Sequence, residues 1–153
     1  MNLIILGPQG SGKGTQAKLL AEKYGLSHIS TGEYIRQEIE SGSDFGKILK
    51  EKIDLGDLVS DAELFSILEK APLDKGNGFI LDGTPRNLFQ AEELDKVLDK
   101  IHIHIDKVIN IDLPYADSLD RLLRRAEIEH RTDDNLEAIK KRLAIYEQDT
   151  KPV

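Results

Sequence analysis

Near the start of the chain, an apolar run, a glycine-rich turn and an amphipathic helical pattern follow one another directly. The run Leu3 to Leu6 has no polar alternation, which is typical of a strand buried on both faces. Residues 7–15 read GPQGSGKGT, and apolar residues then recur at helical spacing at positions 17, 20, 21 and 24. In this arrangement the N–H groups of the turn, the helix N-terminus and Lys13 can surround an anion. The pattern therefore predicts a phosphate-binding loop.

The turn departs at one position from the strict phosphate-loop pattern G-x-x-x-x-G-K-[ST]. Gly14 occupies the place of the serine or threonine, and Thr15 follows it. The residues alone therefore leave open whether a hydroxyl of this loop meets a metal ion. A glycine-rich turn without any ligand is the alternative interpretation. Four glycines and a lysine at this spacing, between a strand and a helix, argue against that alternative.

The rest of the chain alternates short apolar runs with longer helical patterns. Further strands are predicted at 28–30, 79–82 and 108–113. Helical patterns span 88–100, a stretch from about 116 and a last stretch from about 134, and several short helices are predicted between 33 and 71. Strands that alternate with helices are typical of an α/β fold with a mainly parallel sheet. The length, with no internal repeat, predicts a single domain.

Arginine is concentrated towards the end of the sequence. Five of the seven arginines lie between positions 121 and 142, whereas lysine is twice as common and more evenly spread. A guanidinium group binds phosphoryl oxygens through two parallel hydrogen bonds, which suits it to polyphosphates. Arg121 and Arg125 are four positions apart and so share one helix face. Surface ion pairs with nearby acidic residues are the alternative, and the phosphate loop favours polyphosphate chemistry.

Two aspartates close apolar runs that are predicted to be strands. Asp82 follows 79–81, and Asp112 follows 108–111. At the carboxyl end of a parallel strand, a carboxylate lies in the crevice where ligands bind. It can hold Mg²⁺ or its water molecules beside phosphate groups. Asp82 is the stronger candidate and Asp112 the weaker one, and capping of the following helix is the alternative role.

Composition excludes several classes of protein. The 153 residues include 21 Lys+Arg and 28 Asp+Glu, a formal charge of −7, which disfavours a general nucleic-acid binder or a polybasic membrane protein. Cysteine is absent, which excludes disulfides, thiolate zinc sites and cysteine nucleophiles. No apolar run approaches the roughly 20 residues of a membrane span, and the N-terminus lacks the pattern of a secretory signal. A cytoplasmic location is therefore expected.

Four motifs, in the same order, resemble the nucleoside monophosphate kinases, most closely the adenylate kinase family. They are GPQGSGKGTQA at 7–17, HISTGEYIR at 28–36, GFILDGTPRN at 78–87 and RTDDN at 131–135. Gly14 agrees with the family form of the loop. The resemblance implies a P-loop NTPase-type parallel sheet flanked by helices, with a helical monophosphate-binding insertion at 30–60 and a short lid at 126–132. The core would then comprise 1–29, 61–125 and 133–153.

The resemblance also implies roles for individual residues. Residues matching ATP contacts are Gly10, Ser11, Gly12, Lys13, Gly14, Thr15, Arg121 and Arg125. Residues matching AMP contacts are Thr31, Arg36, Gly83, Arg86, Gln90, Arg131 and Arg142. The catalytic charges would be Lys13, Arg86, Arg125, Arg131 and Arg142. Asp82 would orient the water shell of Mg²⁺, while Asp133 and Asp134 would orient the lid arginines.

Acceptor choice depends on two of these positions. Thr31 and Gln90 fit AMP, whereas uridylate/cytidylate kinases tend to have Ala and Asn there. Thr84 and Glu33 depart from the Phe and Asp that are usual in the family, without removing a charged contact. The lid has about seven residues between Arg125 and Asp133, too few for a zinc-binding lid, so no zinc is expected.

The end of the chain also departs from the family pattern. Family members continue past T-x-P with a last strand and helix, and the sequence does not distinguish a shortened chain from a naturally short one. An exposed strand edge is expected beside 108–113, and it would make a dimer the alternative to a monomer.

The resemblance implies that the protein is an enzyme, a nucleoside monophosphate kinase that converts MgATP and AMP reversibly into two ADP. Its partners would be the two nucleotides, with Mg²⁺ as cofactor and with neither nucleic acid nor membrane. A uridylate/cytidylate kinase is one alternative. A nucleotide-binding fragment without turnover, inactive because the C-terminal part is absent, is the other.

Overall fold

A parallel sheet forms the centre of the fold. The computed structural model describes residues 1–69, 71–73, 76–129 and 134–153. Within these residues four strands pair in the order β2–β3–β1–β4, and every pair is parallel. The strands are β1 (Leu3–Leu6), β2 (Ser27–Ser30), β3 (Phe79–Asp82) and β4 (Lys107–Asn110). The α/β fold predicted from the sequence is confirmed.

Seven α-helices and one π-helical turn flank the sheet in the described part of the chain. They are α1 (Lys13–Tyr24), α2 (Thr31–Glu40), α3 (Asp44–Asp54), α4 (Asp61–Leu68), α5 (Leu88–Lys100), α6 (Tyr115–Glu129), α7 (Leu136–Ile145) and the π turn (Tyr146–Thr150). Helices α2 and α3 lie within the predicted insertion at 30–60. Among the described helices, none combines the length and apolar character needed to cross a membrane.

Local sequence explains where most of these helices begin. A serine or asparagine side chain accepts a hydrogen bond from the first turn at the start of five helices: Ser30, Ser43, Ser60, Asn87 and Asn135. Ser60 and Glu63 bond reciprocally in a capping box. These caps satisfy backbone donors that would otherwise lack partners at the helix ends.

The two central strands, β1 and β3, are buried on both faces, which explains their apolar sequences. On one face, Ile5 and Ile80 pack in a cluster with Ala17 of α1. On the other face, Leu81 packs in a larger cluster with Leu64 of α4, together with side chains from α2, α3 and α5. Covering helices on both sides are what an all-parallel sheet requires.

Two predicted boundaries need correction. The strand expected at 108–113 runs from Lys107 to Asn110 instead, because its partner β1 ends at Leu6, which pairs with Asn110. The last helix begins at Leu136 rather than at about 134, because Asn135 caps it. The outer position of β4 agrees with the exposed edge expected from the sequence, and Val108 is 58% exposed there.

Candidate active site

A cavity of about 450 Å³ lies at the carboxyl ends of β1 and β3. The phosphate loop, α2, the segment after β3, α6 and α7 all contribute to its walls. Of the residues predicted for the nucleotide and magnesium sites, those that line it are Gly10, Gly12, Lys13, Gly14, Thr15, Arg36, Asp82, Gly83, Arg86, Arg121, Arg125 and Arg142. The fold therefore gathers side chains from distant parts of the chain around one space.

The glycine-rich loop wraps closely under helix α6. Gly10 has a φ of 82°, and a Cβ atom there would lie 3.0 Å from the carbonyl oxygen of Ser118. A side chain at this position would therefore push α6 away from the loop. Gly12 precedes α1 without a side-chain cap, so first-turn N–H groups of α1 are available to an anion.

Lys13 is the first residue of α1 and faces the cavity from the phosphate loop. Its Nζ donates a hydrogen bond to the carbonyl oxygen of Pro8 at 3.4 Å. Burial above all, together with the positive charges of three arginines, lowers the pKa of the Lys13 ammonium to about 8, although the negative charge of Asp82 acts in the opposite direction. A bound anion would stabilise the charged form of Lys13, because its negative charge offsets the free-energy cost of burying the ammonium group.

Two arginines share one buried carboxylate at the far side of the cavity. Arg125 of α6 donates from Nε and Nη2 to the two carboxylate oxygens of Asp134, at 2.6 and 2.8 Å. Arg142 of α7 donates from Nη2 to Oδ1 of Asp134 at 2.7 Å. The Asp134 side chain is fully buried, so solvent does not compete for the hydrogen bonds by which its carboxylate fixes both guanidinium groups.

Arg86 approaches the cavity from the segment after β3. Its Nε donates to the carbonyl oxygen of Gly83 at 2.7 Å. Burial, together with the nearby positive charge of Arg142, lowers the pKa of Arg86 to about 10. A Cβ at Gly83, where φ is 87°, would lie 2.9 Å from Oγ1 of Thr31 and 3.4 Å from Nη2 of Arg86. The glycine therefore permits this close approach.

Asp82 occupies the end of β3, where the sequence placed a candidate magnesium contact. It is buried, and its Oδ2 lies 3.4 Å from Nε2 of His28. The same oxygen lies 3.2 Å from the position that a Cβ at Gly14 would take, so it faces the phosphate loop. Among the described residues no group of three or more acidic, histidine or cysteine side chains could hold a metal. One carboxylate beside a phosphate-binding loop fits Mg²⁺, which keeps several water ligands and uses substrate phosphates.

Comparison with known proteins decides the family. A family model described as adenylate kinase matches residues 5–153. The chain belongs to the adenylate kinase family. It is 47% identical to an adenylate kinase of Stenotrophomonas maltophilia (strain R551-3) over 155 residues, covering 100% of this chain and 83% of that relative. It is 44% identical to an adenylate kinase of Leptospira biflexa over 153 residues, covering 99% and 82%.

A more distant relative gives the same assignment. An adenylate kinase of Methanothrix thermoacetophila is 40% identical over 181 residues, covering 100% of this chain and 84% of the relative. Members of the adenylate kinase family are nucleoside monophosphate kinases, so this chain is a phosphotransferase. The family resemblance inferred from the four motifs is thereby confirmed.

Two residues that the family pattern assigns to the acceptor base are buried beside the cavity. Gln90 accepts a hydrogen bond from the N–H of Arg86 through Oε1, and it donates from Nε2 to Oδ1 of Asp61, both at 2.8 Å. The Oγ1 of Thr31 donates to the carbonyl oxygen of Asp82 at 3.4 Å. Ser11, another predicted ATP contact, is also buried, within the phosphate loop.

Some residues that were predicted for the site are not among the described residues that line the cavity. Arg131 and Asp133 fall outside the described residues, as does the end of the predicted lid at 126–132. Asp112, the weaker magnesium candidate, is exposed and is not among the residues that line the cavity. Within the described part of the chain, the site therefore keeps Asp82 as its magnesium candidate.

Several residues of this region were not predicted for the site, among them Tyr146, Thr150 and Asp61. Tyr146 and Thr150 of the π turn line the cavity, and Asp61 supports Gln90. Tyr146 continues the helical spacing of the apolar positions 136, 139 and 143, which is typical of a core-facing residue and does not point to a nucleotide site. Asp61 resembles an ordinary first-turn acidic residue after the Ser60 cap, so the local pattern contained no signal for its second role.

The lowered pKa of Lys13 predicts that ATP binding takes up protons in mildly alkaline solution. At pH 8.5, above the free-protein pKa of about 8, many molecules carry a neutral Lys13. Bound phosphate favours the charged form and raises that pKa, so binding draws a fraction of a proton from the buffer. Calorimetric titration at this pH should give a binding enthalpy that depends on the ionisation enthalpy of the buffer.

A Lys13→Ala variant provides the control for this measurement, because its proton uptake at pH 8.5 should be smaller than in the parent protein. Equal uptake in both proteins would show that another group binds the proton.

The lowered pKa of Lys13 also has a consequence for folding. Because the folded-state pKa lies below the unfolded value of 10.5, stability attributable to Lys13 increases as pH rises from about 8 towards 10.5.

Proposed function

We propose that this protein transfers a phosphoryl group reversibly from MgATP to AMP, giving two molecules of ADP. The observation that carries the proposal is the convergence of Lys13 and five arginines on one cavity in a chain of net charge −7. The arginines are Arg36, Arg86, Arg121, Arg125 and Arg142. Positive charge gathered in this way suits two anionic nucleotides, which would otherwise repel each other.

The donor nucleotide is assigned to the phosphate-loop side of the cavity. Residues 10–15 and the N-terminus of α1 would hold the ATP phosphates, with Lys13 at the terminal phosphates. Arg121, which donates to the carbonyl oxygen of Gly10 at 3.4 Å and is exposed, would stack on the adenine. Arg125 would contact the phosphoryl group in transit.

The acceptor nucleotide is assigned to the side formed by α2 and the segment after β3. Arg36 and Arg86 would bind the AMP phosphate, while Thr31, Gly83 and Gln90 would face the base or the sugar. Arg142 and Arg131 would reach the phosphoryl group from the acceptor side. The buried carboxylate of Asp134 supports this assignment for Arg142, because it fixes the guanidinium group before substrate arrives.

The chemistry requires positioning and charge neutralisation rather than a protein base. The AMP phosphate is already anionic at neutral pH, so no general base has to remove a proton from it. Lys13 and the arginines would stabilise negative charge spread over the transferring group. When bound, Mg²⁺ supplies further charge neutralisation at the phosphates, and Asp82 would hold its water ligands.

Two segments are proposed to close over the nucleotides. They are the insertion at 30–60, which carries Arg36, and the lid predicted at 126–132, whose residues 126–129 form the end of α6. Closure would exclude water from the phosphoryl group, which would otherwise be hydrolysed. A monomer in the cytoplasm is our proposal for the working state, with association through the β4 edge as the alternative.

The experiment that tests the function is a coupled assay for ADP with MgATP and four acceptors: AMP, GMP, CMP and UMP. We expect ADP formation that requires both AMP and Mg²⁺. A preference for UMP or CMP would replace the proposal with the pyrimidine kinase alternative. Tight binding of a bisubstrate dinucleotide in calorimetry, without turnover of any acceptor, would indicate a nucleotide-binding protein instead.

Replacing Gln90 with alanine should weaken the preference for AMP over the other acceptors. The side-chain amide can pair with an adenine edge, and loss of such a pair costs about 1–3 kcal/mol. We therefore expect the kcat/KM ratio of AMP to UMP to fall by about tenfold or more, while maximal rates change less. Unchanged selectivity would mean that the Gln90 amide serves only its partners Arg86 and Asp61.

A further inference from the structure

The main chain of Arg86 is hydrogen-bonded on both sides of the residue. Its N–H donates to Oε1 of Gln90 at 2.8 Å. Its carbonyl oxygen accepts a hydrogen bond from Oγ1 of Thr150 at 2.7 Å. The Nε of the side chain adds a third bond, to the carbonyl oxygen of Gly83. Arg86 is therefore fixed at three points beside the cavity that it lines.

Thr150 reaches Arg86 from a distant part of the chain. The two residues are 64 positions apart, and Thr150 is the last residue of the π turn that continues α7. In this turn the N–H of Lys151 donates to the carbonyl oxygen of Tyr146, five residues back, at 2.8 Å. The wider turn places Thr150 at a different angle around the helix axis from an α-helical continuation. The turn thereby aims the hydroxyl at the Arg86 carbonyl.

The hydrogen bond between Thr150 and Arg86 connects the two segments that carry the positively charged side chains of Arg142 and Arg86. Helix α7 carries Arg142, whose charge lowers the pKa of Arg86. Two like charges so placed repel each other and would separate if their backbones were free to move. Asp134 holds Arg142 on one side, and Thr150 ties the Arg86 segment to the end of the same helical unit. The two guanidinium groups are therefore kept at a set separation before any phosphate arrives.

We propose that Thr150 is a positioning residue that acts through Arg86 to set the acceptor-phosphate site. The inference rests on the proposed function, in which Arg86 binds the phosphate of AMP. A hydroxyl has one proton, and that of Thr150 is committed to the Arg86 carbonyl oxygen. Thr150 therefore acts on the phosphate site by fixing the arginine. The residue is buried, so solvent offers little competition for this bond.

The test compares Thr150→Val with Thr150→Ser. Valine keeps the shape and β-branching of threonine but removes the hydroxyl, whereas serine keeps the hydroxyl. Loss of one such hydrogen bond should raise KM for AMP by about fivefold to tenfold in the valine variant. We expect KM for ATP and kcat to change much less. The serine variant should return KM for AMP to near the parent value.

Calorimetric titration of AMP alone gives a second readout that does not depend on turnover. The dissociation constant for AMP should rise in the valine variant in parallel with KM, and it should recover in the serine variant. Equal KM values for AMP in the two variants would overturn the inference. Equal increases of KM for ATP and AMP would also overturn it, since they would indicate a general structural role.

The inference and the proposed function can fail separately. If the parent protein uses AMP and the valine variant matches it, only the role of Thr150 is refuted. If the parent protein neither binds nor uses any of the four monophosphates, both statements are refuted. A parent protein that prefers another monophosphate refutes the AMP assignment, and the same comparison with that acceptor then decides the role of Thr150.

Discussion

Replacing Lys13 with alanine is expected to lower kcat by at least ~100-fold, the usual effect of removing one preorganised electrostatic contact. The structure adds a second expectation about folding. Burial and the charges of Arg86, Arg125 and Arg142 lower the pKa of Lys13 to about 8, so its charged form is unfavourable in the free protein. Removing it should leave the thermal midpoint unchanged or raise it, while activity is lost. Steady-state kinetics and thermal unfolding measure the two effects.

The matched control is Lys23→Ala, which removes the same charge from the same helix. Lys23 is exposed in the last turn of α1 and is not among the residues that line the cavity. We expect wild-type kinetics for this variant. Near-normal turnover in Lys13→Ala would refute the role of the phosphate loop. A marked loss of stability in Lys13→Ala would refute the argument that the buried ammonium group destabilises the free protein.

Replacing Asp134 with asparagine is expected to reduce both stability and activity. The carboxylate is fully buried and accepts hydrogen bonds from Arg125 and Arg142, so the change leaves two guanidinium groups without their shared negative charge. Breaking a buried ion pair in this way costs about 3 kcal/mol in the free energy of unfolding. In a chain of this size, the thermal midpoint should fall by about 6–12 °C. Displacement of the two arginines should lower kcat by about tenfold or more.

Asp120→Asn is the control for this substitution. Asp120 forms one ion pair with Arg124 on the same helix, at 3.0 Å, and both side chains are largely exposed. An exposed pair of this kind contributes at most about 1 kcal/mol. Urea denaturation and steady-state assays of both variants would measure the contrast. Equal stability losses in the two variants would contradict the importance assigned to burial at Asp134.

Features that depend on neighbours in the sequence were predicted well. The structure has β1 at Leu3–Leu6, α1 at Lys13–Tyr24, β3 at Phe79–Asp82 and α5 at Leu88–Lys100, with the bounds that apolar runs and helical spacing indicated. Strand propensity, helical periodicity and glycine at turns act over a few residues, so they can be recognised without the fold. The predicted end of β4 was wrong, because the length of β4 depends on its pairing with β1, which lies about a hundred positions earlier in the sequence.

The residue types that line the cavity could be anticipated in part from the sequence, while their individual roles stay predictions. Asp82 follows from its position at the end of an apolar strand, because parallel strands present their carboxyl ends at one edge of the sheet. Lys13 follows from the glycine-rich turn between an apolar run and a helical pattern. The arginine cluster indicated polyphosphate chemistry, and the family resemblance assigned individual arginines to the two nucleotides. The structure brings Arg36, Arg86 and Arg142 to one cavity, although they come from three separate elements.

Residues 7–17, with their glycines and lysine between an apolar run and a helical pattern, were sufficient to indicate a phosphate-binding α/β protein. Two pairings became visible only in the folded molecule: Thr150 with Arg86, and Asp61 with Gln90. They are hydrogen bonds of 2.7 and 2.8 Å between residues 64 and 29 positions apart. Such a bond depends on the complete path of the backbone between its partners, and no local pattern of residues specifies that path.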